Sequence, residues 1–110
     1  MPKYAILASF TPESWAAMVN NPSDRTAAVR KAAEAAGGKL ESLHFMFGEH
    51  DALVILAAPD AASQAAISIA VASSGAFSSF STRELIEPGD LPGILAKAKQ
   101  VAASYSPPGT

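Results

Sequence analysis

Cysteine is absent from this 110-residue chain. That excludes disulfides, thiolate catalysis and Cys-ligated metals. Charge is scarce as well, at 16% of residues, with eight basic and ten acidic side chains and a net charge of −2. No basic patch is visible, so nucleic acid is not an expected partner. No apolar run is long enough to span a bilayer, and no basic segment followed by an apolar one opens the chain. No membrane partner is therefore expected, and a cytoplasmic location is. The Ser-rich segments carry no Gly-x-Ser-x-Gly elbow. Gly37-Gly38 lacks the Gly and Lys-Ser/Thr spacing of a phosphate loop.

Apolar residues are abundant, at 49%, and many are Ala. A chain this long buries roughly two-thirds of its unfolded surface and can build one core without staples. Its length suits one domain, which we assign to residues 1–105, with 106–110 as a flexible tail.

The segment Leu40 to Ala58 organises the rest. It reads as a β-hairpin, two apolar-rich runs around the turn Gly48-Glu49-His50-Asp51. Strand alternation puts Leu43, Phe45 and Phe47 on one face and Ser42, His44 and Met46 on the other. Pairing Phe47 with Ala52 would set Phe45 opposite Val54, Leu43 opposite Leu56 and His44 near Ile55. The run Ala52 to Ala58 has no polar residue, as expected for a central strand covered on both sides.

The other elements follow from local signals. Lys3 to Phe10 is apolar on both faces and reads as a second central strand. Thr11-Pro12-Glu13 starts a short helix carrying Trp15, Met18 and Val19, which Asn20-Asn21-Pro22 breaks. Ser23 or Asp24 caps an Ala-rich helix to about Ala36, and Gly37-Gly38 stops it. Asp60 caps a helix from Ala61 to about Ser73, with Ala66, Ile67, Ala70 and Val71 as its expected buried stripe. Phe77 to Ile86 is more polar and reads as an edge strand. Asp90 is the expected N-cap of a last helix, where Leu91, Ile94, Leu95, Ala98, Val101, Ala102 and Tyr105 recur at helical spacing.

The order predicts an α+β, ferredoxin-like βαββαβ fold: a four-stranded antiparallel sheet, its first and third strands central, with an extra C-terminal helix. Helices would cover one face of the sheet. The other would be a contiguous apolar patch, which monomers rarely expose. A second copy packed face to face is the expected cover, giving a homo-oligomer that is a dimer or a multiple of dimers.

The stretch AAEAAGGKLESLHFMFGEHDALVILAAPD resembles the GYD-domain family of small bacterial and archaeal proteins. There a helix ends in a Gly-Gly-Lys step, a strand leads to a Gly-x-Tyr-Asp turn, and an apolar strand runs to a Pro-Asp helix start. The matching residues are Gly37-Gly38-Lys39, Gly48-Glu49-His50-Asp51 and Pro59-Asp60, and the likeness extends from about Tyr4 to Glu87. The resemblance implies the dimeric α/β-barrel superfamily, in which two sheets enclose a cavity and whose members include small-molecule monooxygenases, isomerases, haem-modifying enzymes and ligand-sensing domains. His50 stands where the family has Tyr, so a role that needs a phenol there does not carry over.

Seven residues are candidates for a binding site. His44 lies mid-strand on the mixed face, where it could carry a proton or ligate a metal or haem. Tyr4 and Met46, together with Trp15, are candidate cavity linings. His50 and Asp51 sit at the turn, where Asp51 also serves a structural role by accepting backbone N–H bonds. Arg83 could take an anionic group. A metal site using both histidines of one chain is not expected, because six strand steps separate them by roughly 15–20 Å. No cofactor is indicated. The expected function is binding of a small apolar or aromatic molecule in a cavity at the sheet–sheet dimer interface. The alternatives are a cavity enzyme of monooxygenase or isomerase type using His44, and an assembly or adaptor protein.

Overall fold

The computed structural model describes all 110 residues. Strand β1 (Lys3–Phe10) leads through helix α1 (Pro12–Asn20) to α2 (Arg25–Ala35). Strands β2 (Lys39–Phe45) and β3 (Ala52–Ala57) form the hairpin. Helix α3 (Ala61–Ala72), strand β4 (Phe77–Glu84), a 3₁₀ turn (Pro88–Asp90) and helix α4 (Leu91–Ser104) complete the chain. The sheet order is β2-β3-β1-β4, and every pairing is antiparallel. This is the ferredoxin-like arrangement, with the two most apolar strands in the centre.

The local signals act as their chemistry dictates. Thr11 Oγ1, Asp24 Oδ1 and Asp60 Oδ1 each accept a backbone N–H in the first turn of α1, α2 and α3, replacing partners those turns lack. Gly37 adopts φ +80°, which ends α2. A Cβ on Gly38 would collide with the Ala57 carbonyl, so this glycine lets the step from α2 into β2 run close against the end of β3. The carboxylate of Asp90 makes no capping bond, and the 3₁₀ turn leads directly into α4.

Tyr4, Ile6, Ala8, Leu40, Val54, Leu56 and Ile67 form the core between the sheet and the helices. Leu56 is fully buried at its centre. The opposite face presents Ala5 and Leu7 from β1, Leu53 and Ile55 from β3, Ser42 and His44 from β2, and Ser81 and Arg83 from β4. Nothing in the chain covers that face. Every residue of α4 is exposed, including Ile94, Leu95 and Val101 of its stripe.

Two expectations need correction. The hairpin register differs by two residues: Phe45 pairs with Ala52, Leu43 with Val54 and His44 with Leu53. The Met46 N–H donates to the Asp51 carbonyl at 2.8 Å, so the turn closes two residues earlier and leaves Phe47 fully exposed. An even shift preserves which residues share a face. In α3 the buried positions are Gln64 and Ile67, while Ala66 and Ala70 are exposed. A Ser68–Thr82 hydroxyl bond of 2.8 Å turns the polar flank of α3 toward β4, and an Ala-lined groove separates α3 from α2.

Candidate functional site

Asp51 draws three elements together at one end of the sheet. Its N–H donates to the Ala8 carbonyl at 2.9 Å. Its Oδ2 accepts the Phe10 N–H at 2.9 Å and the Trp15 indole N–H at 3.3 Å. The hairpin turn thus fixes the end of β1 and the rotamer of the only tryptophan. Trp15 meets the Phe10 ring edge-on, with centroids 5.1 Å apart, and Phe10 stacks on Phe77 at 5.0 Å. Such pairs favour offset or edge geometry, and they hold the indole from a second side.

Beside Trp15 lies a cleft of about 490 Å³ between α1, the start of α2 and the end of β2. Met18, Phe45, Met46 and Phe47 line it with Trp15, and Arg25 stands on its α2 side. Phe45 and Arg25 also bound a small cavity of about 50 Å³ in the helix-side core. Fourteen of that cavity's fifteen lining residues are hydrophobic, and Arg25 is the exception. A third hollow, of about 300 Å³, runs between α1 and the start of α2 and is again bounded by Arg25. The main cleft lies within the size range of small-molecule sites, roughly 300–1,000 Å³.

The seven candidates do not gather at one place. Met46 lines the cleft, because the chain leaves β2 at Phe45 and no longer alternates. Asp51 supports it through Trp15. His44 and Arg83 lie on the uncovered sheet face, on opposite edge strands, three strand spacings or about 14 Å apart. Both are exposed, and none of the chain's hollows reaches them. A cavity beside His44 would need a second copy to enclose it. Tyr4 is 5% exposed on the helix side of the sheet, away from His44. Burial pushes its phenol pKa up, and the negative charges of Glu84 and Asp60 add to the effect. Its hydroxyl has no partner, and neither has the side-chain oxygen of Gln64. His50 is half-buried with Nδ1 unpaired.

Sequence reasoning missed Arg25. A signal existed: a cation in the first turn of a helix opposes the macrodipole, so its place needs another reason. Phe45 was read only as core, yet it is 52% exposed and forms the wall between cleft and cavity.

The family model for the GYD domain matches residues 4–95, so the chain belongs to that family. A search of the curated proteins finds no match.

Proposed function

We propose that this GYD-domain protein binds a small apolar or aromatic molecule in the cleft beside Trp15, as a homodimer or a multiple of dimers. The observation that carries the reading is the cleft itself. It has about 490 Å³ of space, aromatic and thioether walls, and an indole held in advance by Asp51. Preformed apolar walls with a few placed polar groups are the usual make-up of a ligand site. Within each chain the space lies on the helix side, so we place the ligand there rather than between two sheets. The dimer rests on the uncovered face, where Leu7, Leu53 and Ile55 would otherwise meet water.

Native mass spectrometry of protein taken gently from its source tests both parts. The expected result is an even-numbered oligomer carrying one small molecule per chain, lost from a Trp15→Ala variant. A bare monomer would sink the reading. An assembly or adaptor role is the second reading, favoured by the exposed apolar stripe of α4.

A further inference from the structure

We infer that the ligand of the Trp15 cleft carries one anionic group, a carboxylate, and that Arg25 anchors it. The inference rests on the cleft reading above and adds the chemical class. Arg25 is half-buried where three hollows meet, and it is the only cation lining any of them. It makes no ion pair: the chain's two salt bridges both belong to Lys3. The nearest acid in sequence, Asp24, also borders the cleft, but its Oδ1 accepts the Ala27 N–H at 3.0 Å and caps α2.

A guanidinium presents a rigid fork of donors, with no acceptor, and matches a carboxylate in two-point geometry. Half removed from water and unpaired, it gains more from such a partner than a solvated surface arginine does. The surrounding walls include Phe45, Trp15 and Met18, which accept an apolar body, while Ser23 and Thr26 beside Arg25 add uncharged hydroxyl donors and leave Arg25 the one cation facing an anion. Charge and shape therefore call for an apolar, ring-bearing skeleton with a carboxylate at one end. Arg83, the anion site suggested by the sequence, has no such walls; its Nε lies 3.5 Å from the Ser81 hydroxyl on the open face.

The test uses two probes of one skeleton, 4-phenylbutyrate and 4-phenyl-1-butanol, titrated into the full chain. Emission from Trp15, the sole tryptophan, reports occupancy of the cleft. A charge-assisted pair makes the acid bind roughly tenfold or more tightly than the alcohol. Arg25→Gln is expected to erase that preference, lowering the acid's affinity far more than the alcohol's, while Arg25→Lys keeps part of it. Circular dichroism checks folding; the variant removes a cation that opposes the α2 dipole, so helix content should hold. An acid preference that survives in Arg25→Gln, or is absent from the unmodified chain while the alcohol binds, overturns the anchor and leaves the cleft standing. If neither probe perturbs Trp15, the cleft reading falls and the anchor with it.

Discussion

The two faces of the sheet are built from the same strands, and the central strands β1 and β3 are apolar on both, yet only one face is covered. On the helix side Ile6, Val54 and Leu56 are buried under α2 and α3. On the other, Leu7, Leu53 and Ile55 are only half-buried, shielded by their neighbours within the sheet. β3 supplies both sets by simple alternation. In these two strands hydrophobicity does not separate core from surface; the position of the helices does. A residue on the helix side stabilises the fold of one chain. A residue on the open side would contribute only in the proposed dimer, where a second chain covers it.

One pair of substitutions in β3 tests that contrast. Leu56→Ala empties a fully enclosed position and should cost about 2–5 kcal/mol, read from the urea midpoint. Leu53→Glu, three residues away on the open face, should leave the fold intact and instead split the oligomer, read by light scattering across a dilution series. Equal loss of fold stability from both would break the contrast, because it would mean that the open face is packed within the single chain.

Much of this was legible because it is local. Caps at Thr11, Asp24 and Asp60, the stop at Gly37-Gly38 and the unbroken apolar run of β3 each depend on a few neighbouring residues. So does face assignment, which survives a two-residue error in register. What was not legible depends on distant parts meeting. The hairpin closes early because Asp51 is drawn to Ala8 and Phe10 on β1, a pull invisible from the turn alone. The stripe of α3 is rotated by a hydroxyl on β4. Arg25 borders the cleft only because α1, α2 and the end of β2 are brought side by side.

Asp51 offers the next test, at the end of the sheet where the covered side opens into the cleft. Asp51→Ala removes the acceptor for the Phe10 N–H and the Trp15 indole together. Leaving a part-buried N–H unpaired should cost about 1–3 kcal/mol. The distinguishing readout is Trp15 emission in the folded variant. It should move to longer wavelength as the indole is freed into water, and probe affinity in the cleft should fall. A loss of stability with unchanged emission would make Asp51 a hairpin fastener with no part in shaping the site.

The smallest effect sharpens the contrast through pH. Asp60 caps α3, one of the two helices covering the helix side. The backbone N–H of Ser63 donates to its carboxylate at 2.8 Å, and this bond, with the Ser63 side chain, holds its pKa below the ordinary carboxylate value. A group whose pKa is lower folded than unfolded adds stability at neutral pH. That stability fades as pH falls through the carboxylate range, since the unfolded chain takes up the proton first. Urea midpoints measured from pH 7 down to pH 3 should therefore drop less steeply in Asp60→Asn than in the unmodified chain, because Asn still caps but does not titrate there. Parallel acid slopes for the two chains would show that the charge on Asp60 adds nothing to the cap that helps keep one side of the sheet covered.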